Sequence, residues 1–219
     1  MAFHSVAATS GILFVVLIIV ATALSESGMP GVEAAGNDIA AYVEQDQALH
    51  RWSIPIAALA IPFAAIFFAA VIGSLKDGSL ADGETWATVA LFGAVALVAA
   101  ASTGDALLSA LIFRGGDGMD DSTLLALYDA QRLAYTAIGP GIATLTTAVA
   151  VPSLLYGVWP RWHGGLGLAV AVVGIAAPFA SVAVSDTTDV LTYFAFPALP
   201  VWTLATSVLL FRRPGAQAS

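Results

Sequence analysis

Residues 53–75 read SIPIAALAIPFAAIFFAAVIGSL, an unbroken stretch without a single charged side chain. This stretch decides the fold, because a helix needs roughly 20 apolar residues to cross a hydrocarbon core about 30 Å thick. Working outward, comparable runs occupy residues 7–25, 86–113, 133–158, 163–184 and 190–211. The pattern predicts an all-α polytopic transmembrane helical bundle of about six spans, a single integral membrane domain over residues 1–219. The lipid bilayer is its first partner, and a multi-pass protein of the cell membrane is the expected setting.

Composition points the same way. Hydrophobic residues make up 59% of the chain and charged ones 10%, with a mean hydropathy of +0.89, far from the balance of a soluble domain. There is no cysteine, which excludes disulfides, thiolate metal sites and thiol nucleophiles. A net charge of −8 with seven scattered Lys and Arg argues against nucleic acid, whose backbone demands clustered cations. The first run is read as a retained span, since no Lys or Arg precedes it as a cleaved leader would require.

Basic residues set the orientation. Lys76, Arg161, Arg212 and Arg213 fall on one side, Arg51 and Arg114 on the other, with Arg132 near that second face. The positive-inside rule then predicts both termini cytoplasmic. Ten of the fifteen acids fall in the outer loops on this topology: Glu26, Glu33, Asp38, Glu44, Asp46, Asp117, Asp120, Asp121, Asp186 and Asp189. Within the outer loop at 26–52, Asn37 followed by Asp38-Ile39-Ala40-Ala41-Tyr42-Val43 predicts a capped amphipathic helix with Ile39, Tyr42 and Val43 on one face. It would be either a lid over a cavity or a helix resting at the bilayer surface or on neighbouring spans.

Trp52, Trp86, Trp159 and Trp162 stand at predicted span ends and are expected as interfacial anchors. Trp202 falls near the middle of the last span, where its N–H needs an acceptor; it either lines a ligand pocket or packs. Prolines come in pairs at 55 and 62, 140 and 152, and 197 and 200, and the strongest local break is Gly139-Pro140-Gly141. Such a break can turn carbonyls toward a solute, or it can be a packed kink.

Asp105, in Ser102-Thr103-Gly104-Asp105, is the one acid well inside a predicted span. An aspartate there costs at least a few kcal/mol to insert, so it must be protonated, paired or facing water. It lies nine residues before Arg114, about 13 Å below the helix end. If the next helix starts near Ser122, Arg132 lies about 15 Å along it, nearly level with Asp105. Asp129 precedes Arg132 by one turn and competes for it. Asp105, Arg132 and Asp129, with Thr103 and Trp202, are therefore the candidate ligand or proton site. The alternative has Arg132 pairing with Asp129 near the outer surface and Asp105 hydrogen-bonded to Ser102, Thr103 or another helix.

Several chemistries find no residues. The sole lysine, Lys76, sits at a membrane edge, and His4, His50 and His163 lie near predicted termini or loops. No G-x-S-x-G or H-E-x-x-H occurs. No cofactor and no catalytic residue is therefore expected, the metal question stays open, and the sequence does not decide whether the chain is an enzyme.

The segments Asp38-Ile39-Ala40-Ala41-Tyr42, Gly73-Ser74-Leu75, Trp159-Pro160-Arg161-Trp162 with Gly164-Gly165-Leu166-Gly167-Leu168, and Leu204-Ala205-Thr206-Ser207-Val208-Leu209-Leu210 resemble a family of six-span bacterial membrane proteins common in actinobacteria and classified under a domain of unknown function. His163 stands where that pattern has an aliphatic residue. The resemblance implies an extracytoplasmic loop and short inner turns, and it carries over no catalytic residue. Three readings of function follow. The first is a non-enzymatic accessory or assembly partner, docking through small-residue helix faces to a second copy or another membrane protein. The second is a small-solute or proton-coupled transporter using Asp105 and Arg132. The third is a membrane enzyme or sensor whose outer acids Asp117, Asp120, Asp121, Asp186 and Asp189 bind a cation.

Overall fold

The computed structural model describes residues 3–31, 34–45, 47–77, 82–114, 119–182 and 186–213, with no side-chain description at 47, 77, 180–182 and 186–196. All regular structure among these residues is helical: α1 Phe3–Ser25, α2 Gly36–Glu44, α3 Gln47–Asp77, α4 Gly83–Arg114, α5 Asp121–Thr136, α6 Ile138–Tyr156, α7 Arg161–Val182 and α8 Asp186–Arg212. Five segments are long and apolar enough to cross a membrane: Phe3–Ser25, Ala48–Lys76, Gly83–Arg114, Asp121–Tyr156 and Arg161–Phe179. The described apolar part of α8, Pro197–Arg212, is shorter.

Six of these helices close a ring. α1 packs on α3, α3 on α4, α4 on α6, α6 on α7, α7 on α8, and α8 returns to α1. Neighbours run antiparallel, as the paired contacts Gly93 with Leu145 and Gly141 with Leu97 require for α4 and α6. One rim of the ring carries the first turn of α1 and the last turn of α8, and is called the terminal end; the other is the far end. At the far end α5 lies on α4, and α2 lies on α5.

Glycine sets the closest crossing. A Cβ on Gly93 would stand 2.4 Å from the Leu145 backbone nitrogen, and one on Gly141 would stand 2.6 Å from that of Leu97. Only hydrogen on both Cα atoms lets α4 and α6 touch backbone to backbone, the small-residue packing that membrane helices favour. On the other side of α6, Gly139 meets the carbonyl of Gly174 at 2.3 Å from its would-be Cβ. Pro178, in the same helix as Gly174, has no N–H to give that carbonyl. This proline stands outside the three pairs that the sequence displays.

Two predicted boundaries shift. The fourth membrane segment starts at Asp121 instead of 133, and its cap is Asp120, not Ser122. The Asp120 carboxylate accepts the Thr123 N–H at 3.0 Å and the Thr123 hydroxyl at 2.8 Å, as well as the Ser122 hydroxyl. The segment is interrupted at Ala137, between α5 and α6. The cause is local: Pro140 cannot supply the N–H that the Thr136 carbonyl would receive in an unbroken helix. The break therefore falls one turn before the Gly139-Pro140-Gly141 run that produces it.

The amphipathic helix appears as expected, with Ile39, Tyr42 and Val43 buried against Leu111, Leu124 and Tyr128. It rests on neighbouring helices. Its first turn is closed by Asp38, whose carboxylate accepts the Ala35 N–H at 3.1 Å, and not by Asn37. Of the outer acids, Glu33, Asp46 and Asp117 and the side chains of Asp186 and Asp189 lie outside the described residues.

Candidate functional site

The ring of helices encloses a cavity of about 650 Å³. Its wall is apolar along most of its length, from Phe14 and Val15 on α1, Ala57, Ala60 and Ala64 on α3, and Val170 and Leu199 on α7 and α8. Toward the far end the wall turns polar, with Glu26, Asp105, Asp129, Gln131, Arg132 and Tyr135. From Ser53 to Ala64 the cavity follows α3 for about 16 Å at the rise of an α-helix. That is roughly the depth of one leaflet of a 30 Å core.

Asp105 is held by Tyr135. The phenol donates to its Oδ1 at 2.6 Å across the α4–α5 contact. Depth counting places Asp105 level with Arg132, and Tyr135 sits one turn further along the same face, so the level is nearly right while the hydrogen-bond partner differs. Gln131 also lies against the Tyr135 hydroxyl; it is 1% exposed, and its Oε1 has no hydrogen-bond partner among the described residues. Gly104 is where Tyr135 packs, since a Cβ there would stand 2.6 Å from its ring.

Arg132 takes part in a second group, at the mouth. Its Nη1 donates to the Tyr128 hydroxyl at 3.1 Å, and its guanidinium stands 5.7 Å from the Tyr128 ring centre. Tyr128 in turn donates to the Pro30 carbonyl. Tyr42 donates to the Ser25 carbonyl, and His50, stacked 4.6 Å from Tyr42, reaches the Ser27 carbonyl at 3.3 Å. Three rings thus pin the strap of residues 25–30, part of which lines the cavity. The strap, and not α2, borders the opening. Glu26 on this strap is open to solvent but surrounded by cavity-wall atoms; burial pushes its carboxyl up from the ordinary range, and the positive charge of Arg132 offsets part of that rise. Tyr42 is likewise pushed up, by burial first and then by Tyr128 and Glu26.

The other candidates separate. Asp129 lines the exposed mouth. Thr103 faces away from the cavity, exposed, and spends its hydroxyl on the Ala99 carbonyl at 2.9 Å. Trp202 is fully buried toward the terminal end and does not line the cavity; of its two expected roles, packing is the one observed.

Trp202 belongs to a stack that fills the ring beyond the cavity floor. Phe67 meets Trp202 edge-on at 6.3 Å, Trp202 meets His163 at 5.6 Å, and His163 meets Trp159 at 5.3 Å. Arg213 closes the series with its guanidinium 3.9 Å from the Trp159 ring centre, and it donates to the Val158 carbonyl at 2.9 Å. Thr206 donates to the Trp202 carbonyl at 2.7 Å, so its oxygen accepts from His163 Nε2 at 2.7 Å. That fixes the imidazole with its proton on Nε2. Trp159 is 2% exposed, which corrects its expected role as an interfacial anchor, whereas Trp52 and Trp162 are exposed as anchors should be. His163 is in the first turn of α7, near the helix terminus as expected, and is fully buried.

Among the described residues no group of three or more His, Asp or Glu is placed to hold a metal ion. No protein-family model, no curated protein and no solved structure matches the chain. The residues themselves thus carry the functional reading.

Proposed function

We propose that this chain is a six-span protein of the cell membrane, with both termini cytoplasmic, that binds a small solute in the ring cavity and carries it across. The observation that carries this reading is the cavity reaching Asp105, an expensive carboxylate placed where a solute entering from the far end would meet it. Asp105, Tyr135 and Gln131 form the binding end. Arg132 and Glu26 guard the mouth. The Phe67–Trp202–His163 stack is the closed gate on the other side, and a carrier must part it during each cycle.

The accessory-partner reading, the first from sequence, takes second place because a docking protein has no use for a polar-ended internal cavity. The cation-sensor reading has the least support: Asp120 is committed to its own helix cap.

Carriage and static binding differ at the gate. Thr203 is fully buried beside Trp202, and the chain has no natural cysteine, so a single Thr203→Cys reports on that position alone. Slow labelling of this cysteine in native membranes by a maleimide is the result expected of a carrier. Complete protection over hours, in a protein whose cavity cysteines do label, would overturn carriage.

A further inference from the structure

The cavity has the proportions of an amphiphile. Its apolar wall runs about 16 Å along α3, and its polar groups gather at one end. Among the described residues the charged ones in the wall are Glu26, Asp105, Asp129 and Arg132, three acids against one base, a net formal charge of −2 from these four at the polar end.

The polar groups also point to a donor-rich headgroup. Asp105 Oδ1 already accepts from Tyr135, which leaves the second carboxylate oxygen for another donor. Gln131 is 1% exposed and its Oε1 accepts nothing among the described residues; a buried acceptor left so normally has a partner. Both groups border the Tyr135 hydroxyl, so a single small head could meet both. Such a set is rich in acceptors and poor in donors. A primary ammonium offers three donors, one positive charge and no acceptor.

We infer that the ligand is a single-chain amphiphile with a primary ammonium head, the head held by Asp105 and Gln131 and the chain lying along the apolar wall toward Leu199. This inference rests on the solute-binding reading of the same cavity. An anionic or neutral amphiphile of the same length would satisfy the wall but leave the carboxylate and the amide oxygen unanswered.

Ala101 lines the cavity one helical turn before Asp105. A single Ala101→Cys in the full-length protein, in vesicles of phosphatidylcholine, reports occupancy through its rate of reaction with a water-soluble maleimide. The probes are octylammonium, octanol and octanoate at pH 7. Octylammonium should slow the reaction at concentrations about tenfold below those needed for octanol, the worth of one charge-assisted hydrogen bond, and octanoate should protect least. Adding Asp105→Asn should abolish the preference, while Thr103→Val, on the exposed face of α4 away from the cavity, should keep it. Equal protection by the three probes, stronger protection by octanoate, or a preference unchanged in Asp105→Asn would overturn the ammonium inference and leave the cavity standing. Failure of the introduced cysteine to react at all would instead overturn the cavity reading. The comparison of heads is made with Asp105 intact, so it survives a misfolded Asn variant.

Discussion

The α4–α6 crossing offers a prediction whose size can be worked from geometry. Gly93→Ala would place a methyl 2.4 Å from the Leu145 nitrogen and 2.8 Å from its Cα, with the Gly141 carbonyl at 3.0 Å. Ordinary contact begins near 3.4 Å, so the helices must separate by roughly 1 Å, and the obstruction is backbone, which cannot rotate aside. Overpacking of this kind costs about 1–3 kcal/mol. Gly141→Ala meets Leu97 in the same crossing, at 2.6 Å from its backbone nitrogen. One separation of the helices relieves both clashes, so the double variant should cost far less than the sum of the singles. Gly73→Ala is the control, because a Cβ there meets nothing within 4 Å and alanine is the better helix former by up to about 1 kcal/mol. Unfolding in mixed micelles titrated with sodium dodecyl sulfate gives each value. Additive losses at Gly93 and Gly141, or losses no larger than at Gly73, would refute the backbone-contact account.

Further outcomes follow from the cavity, the strap and the aromatic stack. Tyr135→Phe removes the donor to Asp105 and should lower stability by about 1.5–3 kcal/mol, the range for a hydrogen bond to a charged group, in the same unfolding titration. Glu26 has its folded pKa raised by burial above the ordinary 4.5. Its contribution to stability is therefore greatest below 4.5 and falls as pH rises through the folded value. Glu26→Gln should flatten stability in that window, read by the unfolding titration repeated across pH, and Arg132→Gln should move the Glu26 titration to higher pH, read by infrared titration of the carboxyl. Asp120 is held down at about 2 by the Ser122 and Thr123 donors, so its cap stabilises α5 above the unfolded value of 3.8 and is lost as pH falls through about 2. Asp120→Ala should speed hydrogen exchange at the Thr123 and Leu124 amides at neutral pH and leave α6 unchanged. Thr206→Val leaves His163 Nε2–H without its acceptor and should cost about 1–3 kcal/mol, whereas Thr103→Val, on the exposed face, should fall within about 0.5 kcal/mol of the parent.

The helices were legible because burial in lipid writes long uncharged runs into the sequence, and residues 53–75 declare theirs without ambiguity. Ring closure was not, since Val172 and Ile175, exposed, and Val71 and Val149, buried, are equally apolar; lipid and protein interior select the same side chains. The site was half legible. Counting rise per residue brought Asp105 to the level of the Arg132 turn, yet charge complementarity suggested Arg132 where a phenol one turn away takes the carboxylate. Tyr135 carries no formal charge, so a search for ion pairs passes over it. The strap is silent in the sequence for a related reason: its anchors are carbonyls of Ser25, Ser27 and Pro30, and backbone acceptors leave no mark in composition. The aromatic stack did leave one, because Trp159 with His163 and Trp202 with Thr206 both stand four residues apart. That spacing becomes readable only once α7 is known to lie beside α8.

The central claim is that Asp105 faces a cavity open to water while Thr103, two residues away, faces lipid. Single Asp105→Cys and Thr103→Cys variants, exposed in native membranes to a membrane-impermeant maleimide, test it directly. The account predicts rapid labelling at position 105 and almost none at 103. Equal labelling at both positions, or none at 105, would contradict it.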